Sequence, residues 1–303
     1  MRKTTLRLAY RSQGHYPLLH AMCETDLAAR YGFEVDLHLL EDRERARDLL
    51  LDGTYPVLSG NHHNVYRLRQ QGFPFVHVAQ SINVCLERIV TRAPVSSLHA
   101  LRGKRLGVGK LEGHPELNSW LYFKREGVDT TRELERVEIL GDEERLAALI
   151  AGTVDVAHLS APYDLYAQRA GLTALSLPPL PMISRVTLTT TSTYVREHPE
   201  VIRGLVTLLA AGIHAYLTER ARMVEWIGET FKLPDDEAAR HLYEEIVPGL
   251  ERRPYPTLEA IQNVFAIARR KHPQVDGMNP LLLWDLHHLR ELDESGFIKQ
   301  LYR

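Results

Sequence analysis

The chain has 303 residues, of which 44% are hydrophobic and 25% charged, a composition typical of a globular protein with one large domain or two of ordinary size. Its formal net charge is −2, and the 37 basic and 39 acidic residues are well mixed along the chain. Because no basic patch or tail stands out, nucleic acid is not expected as a partner, and no stretch of the sequence is predicted to insert into a membrane.

The first third of the chain alternates short apolar runs with amphipathic segments, which predicts alternating strands and helices. Strands are predicted over residues 6–10, 33–37, 55–58, 74–81 and 84–91, and helices over residues 17–31, 41–51 and 62–72. Pro17 suits the first turn of its helix, and Gly32, Gly53 and Gly72 end the three helices.

The same alternation restarts after Pro94 and then gives way to helices. Strands are predicted over residues 106–108, 137–140, 154–159, 172–177 and 185–191. Helices are predicted over residues 115–126, 142–151, 199–218, 221–231, 235–247, 257–270 and 281–295, with a further one opened by Ser160. Since strands joined by helices form parallel sheets with right-handed crossovers, the restart predicts two α/β lobes.

We expect the two ends of the chain to share one lobe. Lobe I would comprise residues 1–90 plus 190–303, including the C-terminal helices, and lobe II would comprise residues 91–189. The chain would then cross between the lobes twice, near residues 90 and 189.

Three segments carry a likeness to a known family. The sequence L-H-A-L-R-G-K-R-L-G-V at residues 98–108 resembles the D-L-K-G-K-x-V-G-V opening of the second lobe in type II periplasmic-binding-protein folds. Residues 149–157 resemble the L-x-x-G-x-V-D-A step of that fold. Residues 190–203 are similar to the post-hinge F-x-x-x-H-P-E-x-V-x of the nitrate, sulfonate and thiamine-precursor binding family. The likeness spans most of residues 5–230 and implies a two-lobed α/β fold with an interlobe ligand cleft and a helical C-terminal segment.

The resemblance leaves the function open, because the family includes transport receptors, thiamine-pyrimidine synthases and dihydroxyphthalate decarboxylases. The chain departs from the receptors in having no secretory signal or lipoprotein cysteine near its start. It departs from the synthases because Cys23 and Cys85 cannot supply their cysteine-rich cluster. These two cysteines are expected to be buried thiols.

In this fold, the polar turns that follow the strands converge on one cleft. The clearest is Ser59-Gly60-Asn61, where a buried strand ends and Asn61 is predicted to cap a helix starting at His62. The residues predicted to bind the ligand are Arg11, Ser12, His15, Tyr16, Asn61, His62, His63, Gln80, Ser81, Lys110, Glu112, His114, Ser160 and Tyr163.

Arg11 and Lys110 follow strands of opposite lobes and are predicted to hold the acidic group of a ligand. The alternative for both is a solvated charge on a loop. Tyr16, Tyr66 and Tyr163 are candidates for stacking on a ring.

Histidine is abundant, with 15 residues, and His15, His62, His63 and His114 fall in the predicted turns. Three interpretations stay open: polar surface residues, hydrogen-bond partners of a ligand, or metal ligands and proton donors. Two histidines with Glu112 could hold a divalent metal. The spacing matches no strong motif, so neither a metal nor another cofactor is predicted.

Two functional classes remain, and whether the protein is an enzyme is left open. The favoured class is an ABC-transporter-type substrate-binding protein that closes on a small organic anion, such as an aromatic carboxylate or sulfonate. Its partner would be an ABC permease if the protein is exported. The sequence as it stands predicts a cytoplasmic location, and a periplasmic one if a leader has been removed.

The alternative class is a cytosolic lyase on the same fold, which decarboxylates a hydroxylated aromatic carboxylate. Arg11 or Lys110 would orient the carboxylate, and His62, His15 or His114 would protonate the carbon.

Overall fold

The computed structural model describes residues 4–23, 26–60, 62–111 and 113–303. The strands are β1 (Thr4–Tyr10), β2 (Phe33–Leu39), β3 (Val57–Ser59), β4 (Phe75–Val84), β5 (Arg88–Thr91), β6 (Arg105–Val108), β7 (Glu135–Glu138), β8 (Val156–Leu159), β9 (Thr173–Ala174) and β10 (Pro181–Thr191). The helices are α1 (Tyr16–Cys23), α2 (Asp26–Arg30), α3 (Arg43–Leu51), α4 (Asn64–Gln70), α5 (His114–Arg125), α6 (Asp142–Ala151), α7 (Tyr163–Arg169), α8 (Ser192–Glu197), α9 (Pro199–Thr218), α10 (Arg220–Thr230), α11 (Asp236–Ile246), α12 (Leu258–Lys271), α13 (His287–Glu294) and α14 (Phe297–Leu301).

The chain divides into two compact units, each built around a five-stranded sheet. The first unit comprises Met1–Val84, Pro181–Trp226 and Val247–Arg303, and the second comprises Cys85–Leu180 and Ile227–Ile246. The prediction that the chain crosses twice is therefore wrong: it changes unit four times, of which the changes at 226/227 and 246/247 were not predicted. The other two fall at 84/85 and 180/181 instead of near residues 90 and 189. The reason is strand pairing, since β5 pairs with β8 in the second sheet and β10 pairs with β3 and β4 in the first.

The region around α11 is a second difference, because it was predicted in the first lobe and packs in the second unit. The guanidinium of Arg169, at the end of α7, forms ion pairs with Asp235, at 2.9 Å, and with Glu237. His241 Nε2 lies 2.8 Å from Asp164 Oδ1. These polar contacts fix α11 on α7, and they could not be seen from the strand–helix alternation.

The first sheet has the strand order β2-β1-β3-β10-β4. Strand β1 runs parallel to β2 and β3, whereas β10 is antiparallel to β3 and β4. Leu188 lies level with both Ser59 and Ala79. Strands β4 and β10 therefore continue past the carboxyl ends of β1 and β3 as a two-stranded ribbon.

Helix α9 is the buried helix of the first unit and packs against α1 and α13. A Cβ built on Gly212 would lie 3.0 Å from Cα of Met22, so glycine permits the close approach of α1. Within the described chain, α9 alone has the length and apolar composition of a membrane span, contrary to the expectation that no stretch has them. In the most apolar 18-residue stretch of α9, 67% is buried inside the protein, as in a helix of a protein core.

The second sheet has the strand order β7-β6-β8-β5-β9. Strands β6, β7 and β8 are parallel, and β5 runs antiparallel to β8. Val90, Leu149 and Val154 belong to the apolar core on which α6 and α7 pack. The carboxyl edge of this sheet is formed by the ends of β6 and β8.

Several helices begin, end or divide at residues other than those predicted from the sequence. The helix predicted over 17–31 is divided into α1 and α2, with residues 24 and 25 outside the described chain. The helix predicted to start at His62 begins at Asn64, because residues 62 and 63 still belong to the turn. The last predicted helix, 281–295, is a 3₁₀ turn at Pro280–Leu283 followed by α13.

Candidate ligand-binding site

The turn after β1 lies at the carboxyl edge of the first sheet. Ser12 Oγ accepts the backbone N–H of Gly14 across 3.3 Å and caps the 3₁₀ turn that leads into α1. His15 is buried, and its Nδ1 lies 2.8 Å from the hydroxyl of Ser59 at the end of β3. This bond joins the turns of two neighbouring strands.

Gly60 allows these two turns to approach closely. Its φ of +113° is one that side-chain-bearing residues rarely adopt. A Cβ at this position would lie 3.0 Å from Cβ of Arg11 and 3.2 Å from Cε1 of His15. The backbone of Gly60 therefore lies directly against both side chains.

Two further predicted histidines lie next to this turn. His62 and His63 are buried, at 7% and 4% exposure, and the rings of His15 and His62 stack with centroids 6.1 Å apart. His62 Nε2 lies 3.1 Å from the carbonyl oxygen of Arg185. Because a carbonyl only accepts, Nε2 carries the proton. The structure thus brings His15, His62 and His63 together, whereas Asn61 falls outside the described residues.

Arg185 is a further candidate site residue, which was not predicted from the sequence. It lies in an irregular part of β10, where the register to β4 shifts between Ser184 and Thr187. Its φ of +55° is left-handed, which is uncommon for a residue with a side chain. A Cβ on Gly14 would come within 2.1 Å of Arg185 Nη1, so the guanidinium lies directly over the turn after β1.

Gln80 has a structural role rather than the predicted ligand contact. Its Nε2 donates to the carbonyls of Ile82 and, across 2.8 Å, of Ser184, and its Oε1 accepts from Thr187. The amide therefore holds the irregular part of β10 from which Arg185 projects. Its neighbour Ser81 is fully buried in β4.

Arg11 is half-buried and donates from Nη1 to the carbonyl of Leu40. Burial, followed by the neighbouring charge of Arg43, lowers the pKa of Arg11. Part of its guanidinium thus fixes the segment after β2, and a ligand contact by Arg11 stays a prediction.

Aromatic side chains line the same turn. Tyr10 and Tyr16 stack with centroids 5.7 Å apart, and Tyr16 meets Trp226 edge-on at 5.4 Å. His20 stacks on Trp226 at 3.6 Å. Tyr66, by contrast, is fully buried against Phe265 at 5.1 Å and cannot stack on a ligand ring without repacking.

Three of the residues predicted to bind the ligand, Lys110, Glu112 and His114, belong to the second unit. Lys110 is exposed in the turn after β6. Glu112 and the side chain of His114 lie outside what the structure describes, although His114 begins α5. The predicted roles of Lys110, Glu112 and His114 remain predictions.

The turn after β8 is more acidic than anticipated. The N–H of Ser160 donates to Asp142 Oδ1 across 3.1 Å. Burial raises the pKa of the Tyr163 phenol, and the carboxylates of Glu143, Asp142 and Glu144 raise it further. An anionic ligand would meet negative charge beside Tyr163, so this turn suits the predicted anion poorly.

Both cysteines are buried free thiols, as expected, and they lie in different units. Glu112 lies outside the described residues, so the possible metal set of two histidines and Glu112 stays untested. A different group, Cys85, Glu87 and His158, offers three metal-ligating atoms within 4.8 Å of one another.

Solved structures share this fold over nearly the whole chain. The periplasmic sulfonate-binding protein SsuA of Methylobacillus flagellatus KT has a TM-score of 0.72 at 16% identity, covering 98% of this chain and 97% of that one. The periplasmic aliphatic sulphonate-binding protein SsuA of Escherichia coli has a TM-score of 0.70 at 14% identity, covering 89% and 87%. The alkanesulfonate-binding protein SsuA of Xanthomonas axonopodis pv. citri, bound to MOPS, has a TM-score of 0.67 at 14% identity, covering 93% and 97%.

No curated protein matches the chain in sequence. The family model described as NMT1/THI5 like matches residues 29–221, which is more than half of the chain. These residues include β2 to β8, α9 and the segments that carry the likeness to periplasmic binding proteins. The chain therefore belongs to the NMT1/THI5-like family and has the fold of the type II periplasmic binding proteins.

Proposed function

We propose that the protein is a solute-binding protein for a small organic anion, a sulfonate or carboxylate. The acidic group of this solute would bind at the carboxyl edge of the first sheet. The observation that carries the proposal is the gathering of the Arg185 guanidinium and the imidazoles of His15 and His62 around the turn after β1.

These groups suit an oxyanion for a chemical reason. A guanidinium presents its N–H groups as a planar fork that matches two oxygens of a carboxylate or sulfonate. The imidazole of His62 is oriented by the Arg185 carbonyl, which accepts its Nε2–H.

The organic part of the solute has a natural place beside the anion. Tyr10, Tyr16, His20 and Trp226 form a run of stacked and edge-on rings from the same turn. Aromatic faces favour contact with apolar or aromatic groups. This supports an organic anion rather than sulfate or phosphate.

The three similar structures are named as sulfonate-binding proteins, and two of them as periplasmic. We extend this to the chain as part of the proposal: the solute is a sulfonate or a carboxylate, the location is periplasmic, and an ABC permease receives the solute. No observation on the described residues favours the lyase. The test below would nevertheless detect lyase activity.

The test is isothermal titration calorimetry with a panel of alkyl- and arylsulfonates, the matching carboxylates, and neutral alcohols of the same carbon skeleton. We expect at least one sulfonate or carboxylate to bind, the matching alcohol to bind far more weakly, and the solute to be recovered unchanged. Failure of every anion to bind would overturn the proposal. Release of carbon dioxide from a carboxylate would establish the lyase instead.

A further inference from the structure

The second unit contains a cluster of metal-ligating side chains that the proposed anion site does not use. One donor atom from each of Cys85, Glu87 and His158 lies within 4.8 Å of the others. Cys85 is 5% exposed and His158 is 1% exposed, while Glu87 is half-buried. A thiol, a carboxylate and an imidazole are thus held together in the interior of one compact unit.

The strand pairing explains why these three residues meet. In the antiparallel pair of β5 and β8, Ile89 lies directly opposite His158, so their side chains share one face of the sheet. Glu87 directly precedes β5, and Cys85 lies two residues earlier, just after β4. Helix α5 packs on β8 and brings Asn118 to Glu87.

The polar groups of this cluster are incompletely satisfied. The thiol of Cys85 donates to Glu87 Oε2 across 2.9 Å, and Asn118 Nδ2 lies 3.4 Å from the same oxygen. His158 Nε2 and Asn118 Oδ1 are buried and have no hydrogen-bond partner among the described residues. Leaving such groups unpaired in the interior destabilises the folded state. Both atoms point to a ligand within the cluster.

We infer that Cys85, Glu87 and His158 bind a transition-metal ion of the zinc class. Sulfur and imidazole nitrogen are ligands that Zn²⁺ and Co²⁺ accept and that Mg²⁺ and Ca²⁺ do not favour. Zinc ligands lie about 2.0–2.3 Å from the ion, so their donor atoms stand roughly 3–4 Å apart. The ion would draw the three donor atoms, which lie within 4.8 Å of one another, closer together.

Metal binding would release the thiol proton to solvent and place the thiolate, the carboxylate and neutral imidazole nitrogen on the ion. The inference concerns residues of the second unit only and does not depend on the anion site.

The test uses the full chain, stripped with a chelator, kept reduced with a phosphine and titrated with Co²⁺. Thiolate ligation gives a sulfur-to-cobalt charge-transfer band in the near ultraviolet, and Zn²⁺ should abolish it by displacement. We expect saturation at one ion per chain and a higher unfolding temperature with Zn²⁺ present.

Because the chain contains two cysteines, replacing each in turn identifies which thiol binds the ion. The band should persist in Cys23→Ser and disappear in Cys85→Ser, and His158→Gln should weaken Co²⁺ binding at least tenfold. The matched control is His77→Gln, at a buried histidine of the first unit, which should bind Co²⁺ as the wild type does.

Circular dichroism identifies any variant that fails to fold. If Cys85→Ser fails to fold, the Cys23→Ser result still decides, because Cys85 is then the only sulfur ligand among the cysteines. The inference is overturned if the wild type shows no charge-transfer band, or if the band is lost in Cys23→Ser.

Discussion

His62 donates its Nε2–H to the main-chain carbonyl of Arg185 across 3.1 Å, which joins the turn after β3 to the irregular part of β10. The same arginine has a left-handed backbone and extends its guanidinium over Gly14. Strained backbone of this kind is retained where the surroundings enforce it, and such residues cluster at functional sites. The bond therefore fixes one imidazole and one guanidinium relative to each other.

Gly60→Ala should destabilise the protein by about 2–4 kcal/mol, since it adds a backbone strain and a clash with Arg11 and His15. Gly53→Ala is the matched control, because Gly53 also has a positive φ but a Cβ there meets open space. Its cost should be about 1 kcal/mol. Urea unfolding of both variants measures the difference, and equal costs would show that the turns do not approach as closely as the structure has them.

Trp226→Ala should weaken binding of an arylsulfonate by about 5- to 30-fold, because it removes the ring that stacks on His20 and meets Tyr16. An alkylsulfonate that binds the wild type should lose much less. Calorimetry with one aryl and one alkyl ligand gives the comparison. Equal losses for both would mean that these rings support the fold rather than the solute.

The sequence predicted the two α/β units because strand–helix alternation is local and its restart is visible in the residues. It also predicted the turn that holds His15, His62 and His63, since polar residues after an apolar run mark the carboxyl end of a strand. Arg185 could not be found in this way. Its role depends on a left-handed backbone and a register shift between two strands far apart in sequence.

The cluster of Cys85, Glu87 and His158 was missed for a similar reason. Cys85 and Glu87 lie just before β5, and only the pairing of β5 with β8 brings the distant His158 close to them. The amide of Gln80 was predicted to contact a ligand, and the structure shows that its donor and its acceptor both form hydrogen bonds within the sheet. A buried amide and an exposed one have the same sequence signature.

Arg145→Met should destabilise the second unit by about 3–5 kcal/mol. The buried guanidinium donates to Asp142 and to the carbonyls of Ile139, Leu140 and His158, all of which lose a donor in the variant. Arg102→Met, at a largely exposed pair with Glu133, should change stability by less than about 1 kcal/mol. Urea unfolding would contradict this account if the two substitutions cost the same.

The contact between α11 and α7 should be pH-dependent. The hydrogen bond to Asp164 raises the pKa of His241 above its ordinary 6.5 despite burial, with Glu245 adding to the rise and Arg88 opposing it. Because the folded pKa is the higher one, this contribution to stability is complete below pH 6.5 and is lost as the pH rises through the folded pKa.

The measurement for this contact is the free energy of unfolding across that pH range. Asp164→Asn should remove much of the decline with rising pH, and His241→Gln should do the same. A decline that persists unchanged in both variants would assign it to other groups.

The affinity of Arg185→Asn for the best-binding sulfonate or carboxylate tests the anion site most directly. Asparagine tolerates the left-handed backbone but lacks the guanidinium. Lys232→Asn is the control, since Lys232 is an exposed residue with a similar φ of +51°. We predict that Arg185→Asn stays folded and loses about 10- to 150-fold in affinity, the range of a charge-assisted hydrogen bond, while Lys232→Asn binds as the wild type does. Unchanged affinity in a folded Arg185→Asn would contradict the placement of the anion at this turn.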